Sequence, residues 1–147
     1  MKARYLILIA LLIPNLLLSE PLATDVEINT YWVAKDWTNL EAAFDAHVAV
    51  SEPDVAMLYC AKIFFTFVRP DRDKAVAAAT KLLNAAHANG NQGFVDLATL
   101  ELNELEAIPE VEFAAPGPGE ADAFHAESPD TFPSMSLAIK LRTYTAP

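Results

Sequence analysis

Hydrophobic positions are grouped very unevenly along the chain, and the first group is the densest. Lys2 and Arg4 precede an unbroken aliphatic run over residues 6–13, which resumes over residues 16–18 after Pro14 and Asn15. A basic start followed by a short apolar core is the pattern of an export signal. The thirteen residues 6–18 fall short of the roughly 20 that a bilayer-spanning helix needs, and Pro14 would kink them. Residues 1–23 are therefore expected to be a cleaved signal peptide. Ser19 and Ala23 are the small residues at which the cut is weighed, and Ala23 is preferred because Glu20 and Pro21 end the apolar run. The mature chain is then expected to start near Thr24 with no stable membrane span.

Residues 24–37 carry Val26, Ile28, Thr30 and Trp32 on alternate positions, which predicts an extended lead-in or short strand. Thr38 and Glu41 have the spacing of a capping box, so a first helix is expected from Thr38, with Leu40, Ala43, Phe44, His47 and Val48 on its inner side. Ser51 and Pro53 predict a stop and a restart, with Ser51 as the cap. The following run through Phe65 is apolar nearly all round and should lie centrally between neighbours. Pro70 and the acidic residues beside it break the chain again. A third helix, rich in alanine, then shows Ala75, Ala79, Leu82, Leu83 and Ala86 at helical spacing and ends at Gly90. A fourth places Phe94, Leu97, Ala98, Leu102 and Leu105 together and stops at Pro109.

Short connections between these four helices favour antiparallel neighbours, so residues 38–108 read as two antiparallel helical hairpins. They form a crude repeat, because residues 42–47 precede the similar residues 82–87 by forty positions. In the second unit Ala85, Ala86, Gly90, Leu97 and Ala98 follow one another in the order found in Sel1-like repeats. The unit resembles that branch of the tetratricopeptide superfamily. The first unit departs from the pattern, with Val50 at the glycine's place, although Ala61 parallels Ala98. The resemblance implies a right-handed stack of hairpins used as a binding scaffold, with no catalytic residues to carry over.

Beyond the module, residues 109–147 read as an acidic, proline-rich tail. Residues 103–132 hold eight acidic and no basic side chains, which predicts a solvated, mobile stretch over residues 110–130. Leu137, Ile139 and Leu141 then alternate with Lys140 and Arg142, which predicts a C-terminal β-strand over residues 136–144. A lone strand needs a partner: residues 26–32, residues 111–113 or the sheet edge of another molecule. The expected fold class is mainly α, with that one strand.

Charge narrows the function. Ten basic against twenty acidic residues give −10, which repels nucleic acid and anionic membrane. One cysteine excludes an intrachain disulfide, and four glycines leave little for a phosphate-binding loop. His47 and His87 occupy matching points of the repeat, but no metal-ligand spacing accompanies them, and both are expected at helix interfaces. Cys60 sits in the most apolar helix, where a buried inert thiol is expected. Asp45 with Asp54, and Glu101 with Glu104, are expected on solvent faces rather than as acid–base pairs, and His125 falls in the tail without a partner. No catalytic, cofactor-binding or metal-ligating residue is assigned, and no cofactor is expected. The sequence thus points to an exported, periplasmic or extracellular, noncatalytic scaffold that binds a protein or peptide. The alternatives are a small exported enzyme or inhibitor, and a membrane-tethered subunit of an envelope complex. Lys62, the one cation of the central helix, is expected to tolerate replacement by alanine.

Overall fold

The structure is a computed structural model that describes residues 21–113 and 120–145, so most of the expected signal peptide lies outside the described residues. The protein is mainly helical: α1 (Asp25–Val33), α2 (Trp37–Ala49), α3 (Val55–Ile63), α4 (Arg72–Asn89), α5 (Gln92–Ala107), α6 (Glu120–Glu127) and α7 (Met135–Thr145). A π-helical turn, Phe64–Val68, extends α3, and a 3-10 turn, Glu110–Phe113, follows α5. Among the described residues there is no strand.

The extended lead-in is a helix. Thr24 caps it with a complete capping box, its hydroxyl accepting from the Glu27 amide while the Glu27 carboxylate accepts the Thr24 N–H at 2.7 Å. Ile28 and Trp32, one helical turn apart, are fully buried, whereas Val26 is 74% exposed. The spacing of four therefore overrides the alternation on which a strand was expected. α1 ends in a left-handed residue, Lys35 at φ 54°, with the Asp36 N–H returning to the Tyr31 carbonyl and the Lys35 N–H to that of Trp32. This closing pattern usually takes glycine at its left-handed position.

Two other helix starts differ from expectation. Asp36, not Thr38, caps α2 by accepting the Asn39 amide at 3.2 Å. Asp54, not Ser51, caps α3, accepting the Ala56 amide at 2.8 Å. In both cases an aspartate, as good a cap as the hydroxyl residue, takes the position next to the first helical residue, Trp37 or Val55. Asp71 and Asn91 cap α4 and α5 in the same way, and Gly90 ends α4 in the left-handed region at φ 78°. At that position a β-carbon would strain the backbone although it would meet no neighbour within 4 Å.

All nine residues of α3 are buried. α2, α4 and α7 pack against it, and the π turn continues it with Phe64, Phe65 and Val68 inside. The wider turn, closed by Arg69 N–H to the Phe64 carbonyl, puts Phe64 against Phe44 while Phe65 lies under the Lys74 ammonium. α4 offers α3 a face of small side chains, Ala75, Ala78, Ala79 and Ala86 around Leu82, all fully buried. Such a face allows the helices to come close without loss of packing density.

The C-terminal segment is helix α7, not the strand expected over residues 136–144. Met135, Ala138 and Leu141 are buried at steps of three, while Leu137 and Ile139 are 38% and 44% exposed. Helical spacing wins because α7 lies on α3, which needs cover on that side. The tail before it is folded too. α6 packs against the π turn, and its His125 is buried beside Trp32 and Trp37 at ring distances of 4.8 and 5.8 Å. Trp32 donates its indole N–H to the Ser128 carbonyl at 2.7 Å, and Phe132 sits edge-on to the same indole. Within the expected mobile acidic stretch, Glu120–Glu127 is thus a docked helix, because a few apolar anchors hold it while its acidic side chains face water.

Leu58→Ala or Phe64→Ala should lower unfolding free energy by about 2–5 kcal/mol, since each empties a fully buried site. Urea denaturation followed by circular dichroism measures the loss. Changes below about 0.5 kcal/mol, the size of an ordinary surface effect, would remove α3 from the centre of the fold.

Candidate functional site

The residues that sequence reasoning weighed for chemistry are separated and mostly engaged in holding helices together. His47 is buried on α2 with Nε2 2.8 Å from the Ala23 carbonyl, whereas His87 is exposed on α4. The two histidines therefore do not share an environment, and the interface expected for His87 is absent because its position falls on the outer side of α4. Cys60 is fully buried, and burial pushes its thiol far above the usual range. Asp45 pairs with Lys74 at 2.8 Å, joining α2 to α4. That hydrogen bond raises the Lys74 ammonium's affinity for its proton. Among the described residues no three His, Cys, Asp or Glu side chains gather as a metal would require.

Lys62, expected to tolerate replacement, is buried and paired. Its side chain is 9% exposed and pairs with Glu101 of α5, which is 12% exposed. The Tyr59 hydroxyl faces the same carboxylate, and burial first, then the Glu101 charge, push Tyr59 up to about 12. This is an ionic pin between α3 and α5. Lysine on an otherwise apolar helix was its sequence signal, legible only together with an acidic residue on the opposing helix.

A second polar junction shapes the surface. Arg142 of α7 spans the Asp25 carboxylate with bonds of 2.6 Å to each oxygen and reaches Asp54 through Nε at 3.0 and 2.9 Å. Asp54 also caps α3, so one guanidinium ties α7 to the starts of α1 and α3. Planar two-pronged pairing of this kind is what arginine, and not lysine, provides. Hydrogen bonding from Arg142 holds the Asp25 carboxyl below its usual range, and Asp25 in turn raises Arg142.

Depressions lie on both sides of this junction. A cleft of about 850 Å³ runs between residues 51–54, the Lys81–Asn89 side of α4 and Arg142. A smaller one of about 420 Å³ lies between Arg142, Asp54, His47 and Val26. Val26 also lines a third, of about 530 Å³, walled by Asn29, Thr30, Val33 and Ala34 of α1. Arg142 and Asp54 line the first two and Val26 the last two, so the three depressions neighbour one another on the surface. Their α4 end presents amides and the exposed Glu52, and their α1 end is apolar, with Val26 and Val33 74% and 53% exposed. Lys81 also lines the α4 end, and its ammonium is held in place, without being neutralised, by the Val48 and Val50 carbonyls at the end of α2. Sequence reasoning missed these depressions because it placed both flanking helices in extended segments.

Lys62→Ala should cost about 3–5 kcal/mol by leaving the Glu101 carboxylate buried without its cation, while Lys62→Met with Glu101→Leu should restore most of the loss. Denaturant melts of the single and double variants check this. Tyr59 holds its proton more tightly folded than unfolded, so its contribution is complete below about pH 10 and is lost as pH rises toward 12. Tyr59→Phe should flatten that alkaline decline in stability; an unchanged slope between the two proteins would contradict it.

No family model matches the chain, and comparison with curated proteins and with solved structures gives no match.

Proposed function

We propose that the protein is an exported, noncatalytic scaffold that holds a polypeptide partner along the neighbouring depressions between α1, Arg142 and α4. The observation that carries this reading is the joining of the three depressions through shared walls, with one apolar and one amide-lined end. An extended segment is the ligand shape that fits an elongated, open surface, and a basic one suits a chain of charge −10. The framework is read as paired helical hairpins of the Sel1-like kind, with α4, Gly90 and α5 as the better-formed unit. Stacked units of that kind need their end faces covered. In this reading α1, α6 and α7 supply the cover. Export follows from the basic and apolar pattern of residues 2–18.

Val26→Glu with Val33→Glu changes two exposed side chains and should leave the melting temperature within about 2 °C, as surface substitutions do. Affinity capture from envelope extract should recover a protein with the wild type that is lost with this double variant. Equal recovery by both would place the binding surface elsewhere, and conversion of a substrate library by the wild type would favour an enzyme instead.

A further inference from the structure

Lys81, Asn84, Ala85 and Ala88 stand three and four positions apart on α4 and line the cleft of about 850 Å³, a size found in ligand sites. Lys81 is half-buried, and its ammonium donates to the Val48 carbonyl and, at 3.0 Å, to that of Val50. These carbonyls lie at the end of α2, where a helix leaves them unpaired. An ammonium carries three N–H donors, so one is left over. Among the described residues no carboxylate pairs with Lys81, whose charge is fixed in place but not cancelled. Asn84 beside it is exposed, and its side-chain amide makes no hydrogen bond among the described residues. Arg142, the other cation of the cleft, is engaged by Asp25 and Asp54, whereas Glu52 lines the same cleft exposed and unpaired.

Resting on the reading of a polypeptide partner above, we infer that this cleft receives the partner's C-terminal carboxylate. The remaining N–H of Lys81 and the amide of Asn84 donate to its two oxygens, and the small side chains of Ala85 and Ala88 leave room for the last residue. A hydrogen bond between ammonium and carboxylate is among the stronger kinds, and an ammonium already held by two carbonyls loses little freedom in making it. A segment rich in aspartate or glutamate offers carboxylates too, but a chain of charge −10 repels it. The terminal carboxylate is the negative group that a neutral or basic polypeptide still carries. Glu52, in the same cleft, then takes a cationic group of such a partner.

The immobilised protein is offered two libraries of short random N-acetylated peptides, one ending in a free carboxylate and the other amidated there. The free-acid library should be retained, and amidation should lower retention about tenfold or more, the worth of a hydrogen bond to a charged group. Lys81→Met and Asn84→Asp should each cause a similar loss for the free acids and none for the amides. Asn84→Asp changes an exposed group only and decides the matter where Lys81→Met fails to fold. A preference for the free acids that survives both substitutions places the carboxylate elsewhere and overturns the inference. Equal retention of both libraries, lost in Val26→Glu with Val33→Glu, overturns it while leaving the polypeptide reading intact. Displacement of the free acids by N-acetylalanine at the same concentration overturns it in favour of a small free acid. Retention of neither library overturns both readings.

Discussion

α3 has no side that faces water, and the rest of the fold follows from covering it. Nine consecutive buried residues, extended by Phe64, Phe65 and Val68, cannot be enclosed by a single neighbour. α2 and α4 take two flanks, and the remaining one falls to α7, from the far end of the chain. Each neighbour meets α3 with a different surface. α4 brings alanines that permit close approach, α2 brings Leu40 and Phe44, and α7 brings Ala138 and Leu141. The apolar area removed from water is the main source of stability in such an arrangement.

Polar groups then set the register that burial alone would leave loose. Lys62 with Glu101 fixes α3 against α5, Lys74 with Glu41 and Asp45 fixes α4 against α2, and Arg142 fixes α7 against the starts of α1 and α3. Three of the ten basic residues are spent on these ties. The surplus of acidic residues is left to the surface, where it repels polyanions. Arg142 also lines two of the three depressions, so the tie that closes the fold is part of the surface proposed for binding.

The helices of residues 38–108 were legible because their buried positions recur at three and four over long stretches and because Gly90 and Pro109 end two of them. The flanks were not. Val26, Ile28, Thr30 and Trp32 satisfy a period of two as well as Ile28 and Trp32 satisfy a period of four, and only the site that receives them decides. Leu137, Ile139 and Leu141 pose the same ambiguity, settled by burial of Met135, Ala138 and Leu141 on α3. The two helix caps expected on Thr38 and Ser51 lay instead with Asp36 and Asp54, and the Thr24–Glu27 capping box opens a helix where an extended segment was expected. The acidic stretch around Glu120–Glu127 has too few apolar residues to predict docking, and His125 with Phe132 anchors it through Trp32, nearly a hundred residues away in the chain. The surface depressions could not be read because they are bordered by those same flanks.

Amide hydrogen exchange in the native state, followed residue by residue, tests the central claim most directly. Enclosure by α7 requires that its amides, those of Ala138 and Leu141 above all, exchange through the same cooperative opening as those of α3 and with similar protection. Exchange of α7 at the rate of an unstructured peptide, while α3 stays protected, would show that the C-terminal helix is not part of the cover and would contradict the account.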